Sequence, residues 1–209
     1  MPVPGADGII GNRAYGSRPD AIAALGGAVA AGALAAGVLP VMKHIPGHGR
    51  AGVDSHLALP VVTAELEALR TQDFTPFAAL RALPAAMSAH VTYAAIDEAD
   101  PASTSATVIS RIIRGEIGFD GLLMSDDVSM QALAGTIDER SRAVIEAGCD
   151  IILHCNGVMS EMLAVAAEAP LLEGLALSRY QRCLEIVGAA AGPIDHDRVQ
   201  AGLELVRQA

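Results

Sequence analysis

Residues 118–130 read GFDGLLMSDDVSM, an apolar run that starts after a glycine and ends in two adjacent carboxylates. We interpret Gly121–Met124 as a buried β-strand, because a short apolar run between turn residues is typical of a strand in a parallel sheet. Ser125, Asp126 and Asp127 would then lie at the carboxyl end of that strand. Parallel α/β folds place their functional sites at that end of the sheet.

The same pattern recurs along the chain. Further strands are predicted at Val38–His44, Ala85–Val91 and Asp150–His154, and polar clusters mark their ends: Lys43-His44, Ser88-Ala89-His90 and His154-Cys155-Asn156. The predicted helices are Pro19–Ala36, one from Thr75-Pro76 to before Pro84, Ser105–Gly115, Ile137–Ala147, Ser160–Ala167, Leu175–Val187 and Asp197–Gln208. Alternating helices and strands predict a parallel α/β sheet. Four strands are half of a closed (β/α)₈ barrel, with two open edges, and we expect residues 1–209 to form one domain.

Composition excludes several classes of protein. The 209 residues include 14 basic and 24 acidic side chains, a net charge of −10, which argues against a nucleic-acid partner. Apolar residues make up 52% of the chain, enough for a buried core. Three cysteines are too few for a disulfide scaffold and suit a reducing compartment. The first residues lack the features of a signal peptide, so we expect a cytoplasmic protein.

Residues Ala21–Met42 carry no charge and are numerous enough to cross a bilayer. Most of them are small, and the large apolar side chains are sparse. The segment therefore favours a buried helix followed by a buried strand, and we expect no membrane partner.

The segment Lys43–Arg50, KHIPGHGR, opens the densest group of titratable side chains and is followed by Asp54 and His56. Asp54 and His56 are two residues apart and can hydrogen-bond in a loop. A carboxylate partner orients an imidazole and raises its pKa, which suits a proton donor near neutral pH. Structural alternatives remain: a strand cap for His44, a packing role for His48, a solvated Arg50 and a solvated ion pair for Asp54 and His56.

Asp126 and Asp127 are adjacent on a strand end, so they cannot both point the same way. One should face the site while the other caps a helix or binds backbone; the alternative is that both cap the following helix. A carboxylate beside an apolar strand is costly to bury unless it is paired or functional. A nucleophilic carboxylate with a separate proton donor meets the requirement of retaining glycoside hydrolysis.

A metal-dependent hydrolase is another alternative, with ligands from His44, His48, Asp54 and His56. The ligand types are suitable for zinc. A Pro-Gly loop offers no fixed helical spacing for them, however, and this interpretation leaves the two aspartates unexplained.

Three motifs in order resemble the family 3 glycoside hydrolases, and among them the bacterial β-N-acetylhexosaminidases that recycle cell-wall muropeptides. The motifs are KHIPGHG at 43–49, DSH at 54–56 with Leu59-Pro60, and GFDG at 118–121 leading to SDDVSM at 125–130. The resemblance covers nearly the whole chain. It implies a TIM-type (β/α)₈ fold, no metal or organic cofactor, and a carbohydrate substrate, either a muropeptide or a chitooligosaccharide that contains N-acetylglucosamine.

The resemblance also implies roles for individual residues. Asp126, rather than Asp127, matches the nucleophile of a retaining exo-β-N-acetylglucosaminidase. His56 matches the acid/base and Asp54 its partner. The family residues that bind the sugar correspond to Arg13, Lys43 and His44 in this sequence.

The chain departs from the family at its amino-terminal side. Family members carry earlier barrel strands and a Glu-Gly-Gly-Arg segment that this sequence lacks. The resemblance therefore implies the carboxyl-terminal half to two-thirds of the barrel, with activity impaired by the truncation. The alternative function is an inactive half-barrel that acts only by assembling with a second copy or a separate fragment through its open edges.

Overall fold

A parallel sheet of four strands forms the centre of the computed structural model, which describes residues 11–188 together with 196, 197, 200 and 204. The strands of the chain are β1 (Val41–Ile45), β2 (Val61–Val62), β3 (Ala85–Ser88), β4 (Thr92–Tyr93), β5 (Leu122–Asp127) and β6 (Ile151–Leu153). The sheet order is β1-β3-β5-β6, and every neighbouring pair is parallel. The predicted parallel α/β fold class is therefore confirmed.

Two strands were not predicted from the sequence. Strands β2 and β4 pair in parallel as a separate two-stranded sheet. Each is only two residues long, too short to show any periodicity. They hold the segments that follow β1 and β3 against each other, at the edge of the central sheet where the polar clusters lie.

The helices are α1 (Pro19–Ala35), α2 (Leu66–Ala68), α3 (Phe74–Ala79), α4 (Ile137–Ala147), α5 (Met159–Glu168) and α6 (Gly174–Gly188). Segments of π-helix cover Leu69–Asp73 and Val108–Glu116, and a short 3-10 turn covers Gly11–Arg13. Helix α4 has the predicted bounds because its signals are local: a capping box joins Thr136 and Glu139, and Gly148 ends the helix with φ 109°. The predicted helix Asp197–Gln208 lies mostly outside the described residues.

The predicted helix start at Thr75-Pro76 is wrong. The helical backbone begins at Leu66 and runs through the π-helical segment into α3, so Pro76 lies inside a helix. A proline there lacks the N–H that would bond an earlier carbonyl. The Thr75 hydroxyl instead donates to the carbonyls of Arg70, at 3.2 Å, and Thr71, at 3.0 Å. The π-helical turn and this hydroxyl together accommodate the proline.

Helix α1 is less buried than the sequence predicted. Ala30 is its one buried residue, whereas Leu25 is 49% and Val29 56% exposed. The reason is that its main neighbour is another helix, α3, which itself contacts the outer strand β1. Among the described residues, no helix is both long and apolar enough to cross a membrane.

Strand β5, at the centre of the fold, enters through a tightly packed glycine. A Cβ on Gly121 would lie 2.6 Å from the carbonyl oxygen of Pro84 and 2.6 Å from the ring of Phe119, so a side chain there would displace its neighbours. Leu123 is fully buried, and Asp150 accepts its backbone N–H at 2.8 Å. These contacts fix the strand that ends in Asp126 and Asp127.

Candidate active site

Asp126 and Asp127 belong to strand β5 itself, which extends three residues beyond the predicted strand end. Asp126 is buried; its Oδ1 accepts the N–H of Asp127 at 2.9 Å, and its Oδ2 lies 3.6 Å from Nε2 of His44. The Asp127 carboxylate instead accepts the N–H of Ser129 at 2.9 Å, the hydroxyl of Ser129 at 2.7 Å and the N–H of Cys155 at 3.2 Å. The expectation that one carboxylate binds backbone is therefore confirmed. The alternative that both cap a helix is wrong, because α4 starts only at Ile137.

The half-buried His44 and the buried His48 lie side by side near Asp126. His44 lies in β1, and its ring centroid is 5.3 Å from that of His48. Burial lowers the pKa of His44 to about 4, although the Asp126 carboxylate acts in the opposite direction. Burial also lowers the pKa of His48. Both rings are therefore neutral at pH 7, and each can donate only one N–H.

His56 is held by Asp54 in the loop after β1. Asp54 Oδ1 lies 2.9 Å from the backbone nitrogen of His56 and 2.8 Å from its ring Nδ1. Since an ionised carboxylate only accepts, Nδ1 carries a proton and Nε2 is left as the outer nitrogen of the ring. The predicted hydrogen bond is confirmed. The His56 side chain is 63% exposed and points toward solvent rather than into the core.

The loop that carries this pair is anchored on both sides. His48 Nε2 lies 3.1 Å from Oγ of the buried Ser55, so His48 braces the loop. Arg50 was expected to be solvated, and that expectation is wrong: its Nε donates to the buried Asp73 at 2.7 Å. Burial raises the pKa of Asp73, and the arginine opposes this by stabilising its charge. The Tyr93 hydroxyl donates to the carbonyl of Gly47.

Arg13, Lys43, His44 and His48 line one cavity of about 470 Å³, whose remaining wall is largely apolar and comes from α1, β1 and α3. The structure thus brings together the three residues predicted to bind sugar. Asp126 and His56 are not among the residues that line it. A series of contacts nevertheless connects Asp126 and the loop of His56 to this cavity. Asp126 contacts His44, His44 contacts His48, and His48 contacts Ser55, the residue between Asp54 and His56.

The alternative of a metal site finds no support in these contacts. The four candidate ligands are paired separately, His56 with Asp54, His48 with Ser55, and His44 with Asp126. Across residues 11–188 and the four other described positions, no three His, Cys, Asp or Glu side chains are arranged to hold an ion.

His90 was noted in the sequence only as part of a polar cluster. The structure buries it completely beside the two aspartates, with Nε2 3.0 Å from the carbonyl oxygen of Asp127 and Nδ1 2.9 Å from Oγ of Ser103. Its position after a predicted strand was the available signal. Its partners are distant in sequence, so no local pattern could assign it a role.

The buried histidines predict acid sensitivity of the fold. Because the folded pKa of His44 is about 4 against 6.5 for a free imidazole, the unfolded chain binds protons that the native state does not. The native state therefore has its full stability, as far as His44 is concerned, above about pH 6.5, and it loses stability as the pH falls toward 4. From pH 7 to pH 5, His44 alone should lower the free energy of unfolding by about 2 kcal/mol.

Urea unfolding at the two pH values measures this difference. The His44→Gln variant cannot take up the proton, so its stability should depend less on pH by that amount. An unchanged pH dependence in the variant would contradict the buried, neutral state of His44.

A protein-family model and several curated proteins are similar to this chain over most of its length. The family described as Glycosyl hydrolase family 3 N terminal domain matches residues 4–181. The beta-hexosaminidase of Alkalilimnicola ehrlichii is 45% identical over 156 residues, which are 73% of this chain and 44% of that protein. The beta-hexosaminidase of Pseudomonas aeruginosa is 43% identical over 162 residues, 76% of this chain and 48% of that protein. The chain spans about half the length of these curated relatives.

Solved structures are similar to this chain as well. NagZ from Neisseria gonorrhoeae, in complex with N-trifluoroacetyl-D-glucosamine, superposes with a TM-score of 0.80 at 34% identity, over 96% of this chain and 60% of that one. A glycoside hydrolase family 3 beta-N-acetylglucosaminidase from Paenibacillus gives a TM-score of 0.78 at 32% identity, over 91% of this chain and 39% of that one. These values support the predicted barrel-type fold. This chain corresponds to one part of such a barrel.

Proposed function

Because this chain belongs to the family 3 glycosyl hydrolases, we propose that it removes terminal N-acetylglucosamine from β-linked substrates with retention of configuration. The observation that carries the proposal is the placement of Asp126. One of its oxygens is held by backbone, and the other lies near a neutral histidine at the carboxyl edge of the sheet. A buried carboxylate with one oxygen held and the other left to react suits a nucleophile.

In the proposed reaction, Oδ2 of Asp126 attacks the anomeric carbon while the bond to the leaving oxygen breaks. Protonated His56 gives the Nε2 proton to that oxygen, so the first product leaves as an alcohol. Neutral His56 then takes a proton from water. The resulting hydroxide attacks the anomeric carbon, the bond to Asp126 breaks, and two inversions give net retention.

Asp54 supports both steps through one hydrogen bond. Its carboxylate keeps a proton on Nδ1 of His56, so that exchange with the substrate takes place at Nε2. The exposure of His56 is consistent with a loop that approaches the substrate only when it binds.

Substrate binding is assigned to the groups around the cavity. The charged side chains of Arg13 and Lys43 can donate to sugar hydroxyls or to the N-acetyl carbonyl, and His44 can donate one N–H. We propose a muropeptide or chitooligosaccharide substrate, on the basis of relatives named beta-hexosaminidase and of one solved with N-trifluoroacetyl-D-glucosamine.

A cytoplasmic role in peptidoglycan recycling fits this substrate class. The thiols of Cys149, Cys155 and Cys183 are all free, which suits a reducing compartment. No disulfide constrains the described residues, and the proposed chemistry needs no metal or organic cofactor.

Proton NMR of aryl β-N-acetylglucosaminide hydrolysis tests the proposal. The β-anomer of free N-acetylglucosamine should appear first, followed by slow equilibration with the α-anomer. Initial release of the α-anomer would contradict a covalent mechanism, and absence of hydrolysis would contradict activity of this chain.

A second candidate function is assembly with another chain. The outer strands β1 and β6 have no further strand beside them among the described residues. Exposed apolar side chains lie on the helix that precedes β1 and on the helix that follows β6: Leu25, Val29, Met162 and Leu163. Unpaired strand edges favour association. Light scattering should then give a mass above that of one chain, and a stable, soluble monomer would contradict it.

A further inference from the structure

His90 is fully buried two residues after the end of β3 and lies outside the residues assigned to sugar binding or proton transfer. We propose that His90 is a positioning residue for Asp126: its ring holds the backbone of Asp127, which in turn orients the Asp126 carboxylate. This inference rests on the nucleophilic role proposed for Asp126, and it extends that role to a buried residue that never contacts the sugar.

The ring of His90 has a defined tautomer. A carbonyl oxygen can only accept, so the 3.0 Å contact with Asp127 requires a proton on Nε2. Burial lowers the pKa of His90, which favours the neutral ring. Nδ1 is then an acceptor, and the Ser103 hydroxyl lies 2.9 Å from it and 3.1 Å from the carbonyl oxygen of Ala89, so these two acceptors share the one proton of Ser103. The donor nitrogen of His90 is thus directed at the residue next to Asp126.

A second serine continues this hydrogen-bond chain. Ser88 Oγ lies 2.6 Å from Ser103 Oγ, and both side chains are completely buried. Because the single proton of Ser103 is taken up by Nδ1 of His90 and the carbonyl of Ala89, Ser88 donates to Ser103. The chain therefore runs from Ser88 through Ser103 and His90 to the Asp127 carbonyl. The opposite tautomer would place a lone pair of Nε2 against that carbonyl, at a cost in the buried interior.

The backbone of Asp127 connects His90 to the proposed nucleophile. Its carbonyl accepts from His90, while its N–H donates to Oδ1 of Asp126 at 2.9 Å. Oδ1 is thereby held, and Oδ2 is left to face His44. A shift of the Asp127 backbone would rotate or release the carboxylate. Small displacements of a reacting group cost large factors in rate.

The carbonyls of two residues further along the chain are also held, by a half-buried arginine. Arg140 Nη1 donates to the carbonyl of Val128 at 3.0 Å and to that of Met130 at 3.1 Å. Side chains from two separate elements thus hold the carbonyls of residues 127, 128 and 130. A core histidine that only fills space would not need to direct its donor at this segment.

Two substitutions of His90 separate positioning from packing. In His90→Gln, the amide nitrogen reaches the place of Nε2 and can still donate to Asp127. In His90→Asn, the shorter amide ends near the place of Nδ1, so it keeps Ser103 as a partner and loses Asp127. Both variants remove the ring and lose similar packing, which makes each a control for the other.

With an activated aryl N-acetylglucosaminide, His90→Asn should lower kcat by about 10- to 100-fold and change KM less than about threefold. His90→Gln should stay within about fivefold of the parent. Equal losses in both variants, or no loss in either, would overturn the positioning role and leave His90 a packing residue.

A spectroscopic readout keeps the inference testable without turnover. The ¹³Cγ resonance of Asp126 reports its hydrogen bonding, and it should shift in His90→Asn but not in His90→Gln. If the parent hydrolyses nothing, the proposed function fails while the resonance still decides the positioning role; an unshifted resonance in His90→Asn overturns it. Should His90→Asn not fold, Ser103→Ala removes the donor to Nδ1, and the same criterion applies to it.

Discussion

Replacing Asp126 with asparagine is expected to lower kcat for an aryl N-acetylglucosaminide by about 10⁴-fold or more. The amide cannot form the covalent bond to the anomeric carbon, and it offers no negative charge to the transition state. The fold should persist, because the asparagine oxygen can still accept the N–H of Asp127. Steady-state kinetics, with circular dichroism to verify folding, measures both expectations.

Asp127→Asn is the matched control for this variant. Its amide oxygen can still accept the N–H groups of Ser129 and Cys155, so the strand end should keep its shape. We expect a loss of stability of about 1 kcal/mol and a loss of kcat below about tenfold. If Asp127→Asn were the inactive variant and Asp126→Asn the active one, the assignment of the nucleophile would be wrong.

His56→Ala is expected to have a selective effect on substrates that need protonation of the leaving group. Loss of a general acid typically costs about 10²- to 10⁴-fold, and we expect this loss with an alkyl or sugar leaving group. An activated aryl substrate needs little protonation, so its cleavage should slow by less than about tenfold. Comparing kcat/KM across leaving groups of graded acidity measures the difference.

Asp54→Asn tests the partner of His56 in the same series. The ring would lose the carboxylate that keeps a proton on Nδ1, so the losses should follow the pattern of His56→Ala with smaller magnitude. Uniform losses across all leaving groups in both variants would argue against a proton donor and for a role in holding the loop.

The parts of the fold that the sequence could predict depend on local signals. Helix α4 could be delimited because Thr136 caps its start and Gly148 ends it within the same short stretch. Strand β5 could be recognised from its apolar run, and the pair Asp126 and Asp127 from the cost of placing carboxylates beside that run; the choice of Asp126 came from the family resemblance. The hydrogen bond between Asp54 and His56 needed only their separation of two residues.

The parts that could not be predicted depend on distant neighbours. Pro76 signals a helix start, but a π-helical turn and the Thr75 hydroxyl allow it inside a helix. The nearest acidic residue to Arg50 in the sequence, Asp54, binds His56, and Arg50 instead binds Asp73, which lies 23 residues away. The contact of His90 with Asp127 spans 37 residues. In each case the deciding partner comes from tertiary structure.

Trapping of a covalent intermediate tests the central claim, that Asp126 is the nucleophile that attacks the glycosidic bond. A fluorinated N-acetylglucosaminyl fluoride, which forms the glycosyl-enzyme quickly and releases it slowly, should add the mass of one sugar residue to the protein. Peptide mapping by mass spectrometry should place that mass on Asp126, and the Asp126→Asn variant should remain unlabelled. A label on another residue, or turnover of the probe with no labelled protein, would contradict the account.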